Sequence, residues 1–203
     1  MRVIAGSAGG IHLQAPRRGV RPTMDRVKAA IFSSLADKVL NARVLDLFAG
    51  TGALGIEALS RGATSVIFVD HDRQSISAID ANLARTKLQG RTRQQEVFEF
   101  LKREDPSNQF DLIFADPPYE KSEGNEPFTE KLLTNELLPK FLDDDGIFVL
   151  EKAPDEKMIE TPLWTVTRQK TYGATEVLFL QPKIPARNAS HSDAGGENRK
   201  SKV

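Results

Sequence analysis

The sequence predicts an α/β fold: a mainly parallel sheet covered by helices on both faces, closed by an antiparallel terminal hairpin and preceded by a small N-terminal β-hairpin and helix extension. Three observations carry this reading. Short apolar runs at 43–48, 65–70 and 110–116 alternate with amphipathic helical stretches, the order expected of βαβ units. A Gly-rich turn stands between the first of these runs and the next helical stretch. Asp46, Asp70 and Asp116 each fall at or near the end of their own run, where ligands gather in open sheets of this kind.

In chain order, RVIAG and IHLQAP flank Ser7 to Gly10 and predict a small hairpin. Pro16 to Pro22 forms a basic loop. Thr23 suits an N-cap for a helix over 24–37, in which Val27, Ala30, Ile31 and Leu35 recur at helical spacing. RVLDLF predicts a buried strand, AGTGALG a turn, and the residues through Ser60 a helix closed by Gly62. A strand follows at 65–70, then a helix over 73–87 with Ile76, Ile79 and Leu83 on one face. A third strand lies within 91–97, and FDLIFAD at 110–116 is a fourth. Phe128 to Phe141 reads as one helix. The turn Asp143 to Gly146 leads into the strand IFVLEK, and WTVTRQKTYG with ATEVLFLQ forms the closing pair, where Trp164 is a core residue. Residues 182–203 are polar and poor in large apolar side chains, and read as a disordered tail. The expected division is 1–40 for the extension, 41–181 for the α/β domain and 182–203 for the tail.

Composition narrows the chemistry. With 203 residues the chain fits one domain, and no apolar run is long enough to span a bilayer, so a cytoplasmic protein without a membrane partner is expected. The absence of Cys removes thiolate nucleophiles, and with only three His a metal site is not expected. The formal net charge is zero, yet residues 1–43 carry eight Lys and Arg against two Asp, which leaves +6 there and −6 in the remainder. Phosphate attraction depends on local charge, so a nucleic-acid contact and a solvated basic surface both remain open.

Gly50, Gly52 and Gly55 match G-x-G-x-x-G between a strand and a helix, with Asp70 at the end of the next strand. That spacing fits a dinucleotide, but Asp46 argues otherwise: a carboxylate there repels a pyrophosphate and suits a ligand with an ammonium and a cationic sulfur. The loop therefore favours S-adenosylmethionine over NAD, with Asp70 placed to accept ribose hydroxyls. Asp116-Pro117-Pro118-Tyr119 ends an apolar strand. An exocyclic base amine is a poor nucleophile because its lone pair is delocalised into the ring. The Asp116 carboxylate and Pro117 carbonyl can orient it, two prolines pre-set the backbone, and Tyr119 offers a stacking face. Together the motifs describe an amino-methyltransferase acting on a base.

On these residues the chain resembles the RsmD family, bacterial 16S rRNA guanine-N2 methyltransferases. The resemblance spans residues 1 to about 181 and rests on Arg21-Pro22-Thr23-Met24-Asp25-Arg26-Val27-Lys28, on DLFAGTGALGIEALSRGA from Asp46, on D-P-P-Y and on Tyr172-Gly173. It implies a class I S-adenosylmethionine-dependent methyltransferase, Rossmann-like, acting as a monomer without metal on 16S rRNA in the small ribosomal subunit or its assembly intermediate. Asp46, Phe48, Gly50, Gly52 and Asp70 would then hold the cofactor, with Glu96 or Val97 beside its adenine. Asp116, Pro117 and Tyr119 would act on the base, and Arg17, Arg18, Arg21, Thr23 and Arg26 are candidates for the RNA side. A helix cap at Thr23 and an ion pair at Arg26 are the structural alternatives. The chain departs from the family in lacking Lys or Arg at the hairpin turn and in carrying Asp70 where Glu is frequent. Competing functions are a DNA or RNA adenine-N6 or cytosine-N4 methyltransferase, a noncatalytic RNA-binding assembly factor and a nicotinamide oxidoreductase.

Overall fold

The computed structural model describes residues 1–15, 25–118, 126–157 and 159–183. The expected basic loop, the Thr23 cap and the tail lie outside them, apart from its first residues. Helix α1 (Asp25–Leu35) precedes strand β1 (Arg43–Leu47), helix α2 (Ala53–Ser60), strand β2 (Ser65–Asp70), helix α3 (Arg73–Thr86) and strand β3 (Arg91–Gln94). Helix α4 (Val97–Arg103), strand β4 (Phe110–Ala115), helix α5 (Phe128–Leu133), strand β5 (Leu142–Lys152), strand β6 (Trp164–Tyr172) and strand β7 (Thr175–Pro182) complete the order. The seven strands form one sheet in the order β3-β2-β1-β4-β5-β7-β6. The pairs from β3 through β5 are parallel, and β7 is antiparallel to both β5 and β6. The α/β class and the closing antiparallel pair are as the sequence predicts.

Two cores line the two faces of the sheet, and the alternation of strand residues assigns side chains to them. Val44, Val66, Phe68, Leu112 and Phe114 join the core that holds α1 and α2 residues. Leu45, Leu47, Val69, Ile113 and Ala115 join the core with α4 and α5 residues. The even-numbered positions of β1, β2 and, from Leu112 on, β4 thus face α1 and α2, and Asp46 and Asp70 inherit that face. Continuing the alternation one residue past β4 gives Asp116 the same side.

Four expectations need correction. The helix expected over 24–37 stops at Leu35, where Ala36 turns to φ 48° and a 3-10 turn, Ala36–Val39, follows. The single helix expected over 128–141 is broken: α5 ends at Leu133, and a 3-10 turn occupies Leu138–Phe141. Asn135 is the reason, since its Oδ1 accepts the N–H groups of Leu137 and Leu138 at 2.9 and 3.0 Å and so restarts the chain, while Pro139 lacks a donor. The acidic turn at 143–146 lies inside β5 as a bulge, where the register with β4 shifts between Phe110 and Leu112. The N-terminal hairpin is reduced to one bridge, Arg2 with His12. Its two arms are joined by the Val3, Gly10 and Leu13 N–H groups donating to the carbonyls of Ile11, Val3 and Met1, its turn also rests on α2, and a Cβ at Gly6 would lie 1.8 Å from the Ser60 carbonyl oxygen. Helix α4 was not expected, because seven residues with few turns carry little periodicity.

Candidate functional site

The chain runs from β1 through β2 to β3 on one side and then returns to β4 on the other. The topological switch point therefore lies between β1 and β4, and Asp46, Asp70 and Asp116 stand around it. Asp46 is 2% exposed, and its Oδ2 accepts the Gly55 N–H at 2.9 Å. Burial pushes the Asp46 carboxyl well above its ordinary value; the Gly55 hydrogen bond opposes this, and the nearby Asp116 and Asp70 carboxylates add to it. No Lys or Arg lies within salt-bridge reach of Asp46 among the described residues.

The Gly-rich loop is folded on itself. The Gly50 N–H donates to Asp70 Oδ2 at 2.8 Å, and the Asp72 N–H donates to Asp70 Oδ1 at 2.9 Å. The Ala49 and Gly52 N–H groups donate to the carbonyls of Val69 and Ala49. Gly50 and Gly52 adopt φ of 55° and 74°, a left-handed turn that a side chain would strain, and Phe48 shares the strain at φ 54°. Gly55 serves packing: a Cβ there would meet Phe68 at 2.3 Å and Asp46 Oδ2 at 2.9 Å.

These bonds decide between cofactors. A phosphate cradle presents free backbone N–H groups to the anion. Here the amides of Ala49, Gly50, Gly52 and Gly55 are already spent on protein acceptors, and the site carries three carboxylates. A ligand bearing an ammonium and a sulfonium fits that donor set, whereas a pyrophosphate does not. Each Asp70 oxygen accepts one backbone N–H and keeps a lone pair for a hydroxyl.

Asp116 is half-buried, Pro117 buried and Pro118 exposed immediately beyond β4. Tyr119 lies outside the described residues, as do Arg17, Arg18, Arg21 and Thr23. Arg26 is exposed on α1 and forms no ion pair among the described residues. Glu96 is the N-cap of α4, with Oε2 accepting the Glu99 N–H at 2.9 Å, and Val97 is buried against the α4 side of the sheet.

Two groups bearing on the site escape a linear reading. Phe48, Phe98 and Phe128 cluster at one side of the strand ends, with Phe48 to Phe128 centroids 5.5 Å apart and Phe98 stacked on Phe128 at 6.4 Å. Lys131 Nζ sits 4.2 Å from the Phe98 ring centre. The second is Asn82, fully buried on α3, whose Nδ2 donates to the Thr51 carbonyl at 3.0 Å. Its signal was a polar residue set inside the apolar stripe of Ile79 and Leu83.

Comparison with known proteins follows the same lines. The family model described as Conserved hypothetical protein 95 matches residues 1–181. The chain is 38% identical over 194 residues to a protein of Bacillus subtilis named "Putative rRNA methyltransferase YlbH", covering 90% of this chain and 100% of that one. It is 33% identical to "Ribosomal RNA small subunit methyltransferase D" of Haemophilus influenzae, covering 89% and 93%. Among solved structures, the "Putative methyltransferase yhhF from Escherichia coli" superposes with a TM-score of 0.75 at 30% identity, covering 90% of this chain and 97% of that one.

Proposed function

The chain belongs to the Conserved hypothetical protein 95 family, the RsmD family that its motifs resemble, and from that premise we propose that it transfers a methyl group from S-adenosylmethionine to the exocyclic N2 of a guanine in 16S rRNA. The substrate is the small ribosomal subunit or its assembly intermediate. The observation that carries this reading is the meeting, at the switch point, of a carboxylate-lined loop with spent amides and the Asp116-Pro117 turn. The names of the relatives place rRNA methylation in the family. The choice of guanine N2 rests on the resemblance and on the chemistry of that turn.

S-adenosylmethionine supplies an electrophilic methyl carbon on a positively charged sulfur. Asp46 holds negative charge where the amino-acid end of the cofactor carries its ammonium, and Asp70 accepts ribose hydroxyl protons. Phe48 and Val97, with Glu96 at the head of α4, form the adenine side. The Asp116 carboxylate and the Pro117 carbonyl accept the two N–H bonds of the guanine amine, which directs its lone pair outward and offsets the positive charge that grows on nitrogen. With S-adenosylmethionine bound, its methyl carbon would pass from sulfur to the amine nitrogen, the C–S electrons would stay on sulfur, and the amine would release one proton to Asp116 or solvent. Tyr119 stacks on the base. Residues 41–181 form the catalytic unit, and residues 1–40, with Arg17, Arg18, Arg21, Thr23 and Arg26, contribute the RNA-facing side.

The test is methyl transfer from labelled S-adenosylmethionine to small subunits from a strain lacking this protein, followed by nucleoside analysis. N2-methylguanosine is expected. Methylated adenine or cytosine would overturn the atom and keep the chemistry, and absence of transfer with intact cofactor binding would leave only a binding role.

A further inference from the structure

Strand β6 forms an outer edge of the sheet, and a bulge sorts its side chains between the two faces. Directly paired residues of neighbouring strands share a face. Trp164 belongs to the core on the α4 side, and Val166 stands opposite Leu180 of that same core. The register then shifts. Thr167 is the extra residue, with its Oγ1 donating to the Phe179 carbonyl at 3.1 Å, and Arg168 stands opposite Phe179. Phe179 and Val177 belong to the core on the α1 side. Beyond the bulge Arg168, Lys170 and Tyr172 therefore lie on the α1 face; without the extra residue they would share the α4 face of Trp164 and Val166.

The α1 face is also the one that carries Asp46 and Asp116. Strand pairing sets how near the cations come to the site. One step past the pair Ala115 and Leu150, Asp116 stands level with Glu151, which is opposite Val177, and Val177 is opposite Lys170. Lys170 thus ends a row that starts at Asp116, three strand spacings or roughly 14 Å away. Arg168 lies two residues back along β6, its guanidinium carbon 5.8 Å from the Phe179 ring centre. Both cations are exposed, and Tyr172 at the strand end is half-buried against the same core.

Edge strands carry Lys and Arg to prevent pairing with other chains, and that need is met on either face. Here the charge is one-sided. On the α4 face the same stretch presents Gln169 and Thr171, both neutral and both donating to Glu176, at 2.8 and 3.2 Å. Glu176 is the one acidic residue in 164–182, and it is buried and paired with Lys152.

We propose that Arg168 and Lys170 form a second contact for the RNA backbone, placed by the Thr167 bulge on the face of Asp116, where it holds phosphates of nucleotides flanking the target. The inference rests on the RNA substrate class proposed above. Contacts of this kind fix register and orientation and carry no base preference.

The test is binding of a full-length 16S rRNA transcript to the whole chain over about 50 to 200 mM salt. Four proteins are compared: the wild type, Arg168→Gln with Lys170→Gln, Lys170→Gln alone, and Lys102→Gln with Arg103→Gln, which removes the same charge from exposed positions on α4. Loss of two phosphate contacts should flatten the slope of log affinity against log salt by about 1.4–1.8, and loss of one by about half of that. The α4 pair should leave the slope unchanged, and affinity for S-adenosylhomocysteine should be equal in all four. In methyl transfer to small subunits, the β6 pair should raise the KM for the subunit with kcat unchanged. A slope that the β6 substitutions leave at the wild-type value, or that the α4 pair flattens equally, overturns the proposal. Weakened capture of subunits with an unchanged transcript slope would assign the surface to a ribosomal protein and overturn it too. A wild type that binds S-adenosylhomocysteine but neither transcript nor subunit overturns the RNA substrate class itself, and this contact with it.

Discussion

Two sets of buried carboxylates in this protein are treated in opposite ways. Between α1 and α2, Glu57 meets Lys28 at 3.3 Å with both side chains fully enclosed, and Arg61 adds a 2.7 Å contact. In the terminal hairpin, Glu176 meets Lys152 at 2.8 Å. Burial pushes the Glu176 carboxyl up, and the bonds from Lys152, Gln169 and Thr171 more than reverse it, leaving it below its ordinary value. At the switch point Asp46 has no Lys or Arg within salt-bridge reach among the described residues, and its neighbours Asp70 and Asp116 are of its own sign. Glu57 and Glu176 hold segments together through a cation, whereas Asp46 beside the Gly-rich loop is met by the Gly55 N–H.

The largest effect should come from the switch-point side of this contrast. Asp116→Ala should lower kcat by about 10²–10⁴-fold, the range of a lost proton-accepting group, with the KM for S-adenosylmethionine changed only a few-fold. Steady-state kinetics check this, and equal loss in both parameters would mean that Asp116 serves the cofactor.

On the paired side the effect is on stability. Glu57→Leu strands the Lys28 ammonium, whose other partner is the Arg2 carbonyl at 2.6 Å, and should cost about 3–5 kcal/mol in denaturant unfolding. Glu176→Leu should cost less, because Lys152 keeps the carbonyls of Ala153 and Glu156. An equal cost at both sites would erase the distinction drawn from their enclosure.

Gly55→Ala probes the boundary between packing and site. Its Cβ would press on Phe68, Val66 and Asp46, so a stability loss of about 1–3 kcal/mol is expected, together with weaker cofactor binding measured by calorimetry. Loss of stability with unaltered affinity would separate Asp46 from the cofactor.

The smallest effect is a pH dependence. A folded-state Asp46 carboxyl raised above its unfolded value contributes stability that is complete below the ordinary carboxylate pKa and is lost as pH rises through the raised one. A cationic ligand prefers the ionised form, so its affinity should rise over that same window with release of up to about one proton. Calorimetry in buffers of different ionisation enthalpy measures it, and Asp46→Asn should abolish it; persistence in that variant would assign the proton elsewhere.

How much of this was legible depends on the range of the interaction. The four parallel strands with strong apolar runs announce themselves in RVLDLF, SVIFVD, FDLIFA and IFVLEK, and Asp72 beginning α3 is a local cap, with side-chain bonds to Gln74 and Ser75. Asn135 was not read as a helix breaker because the apolar pattern of 128–141 continues through it. Phe98 and Phe128 are ordinary apolar residues in the sequence, and only the fold stacks them beside Phe48.

By itself the sequence determined the strand runs, the Gly-rich turn and a carboxylate at the end of each of three strands, because period-two alternation and turn chemistry act over a few residues. Tertiary structure decided that those carboxylates meet. Strand order places β1 between β2 and β4, the common face follows from side-chain alternation against two different cores, and the bonds Gly55 to Asp46, Gly50 to Asp70 and Asn82 to Thr51 join residues that share no local pattern. Hydrogen bonds of that kind are chosen by what the packed helices bring within reach.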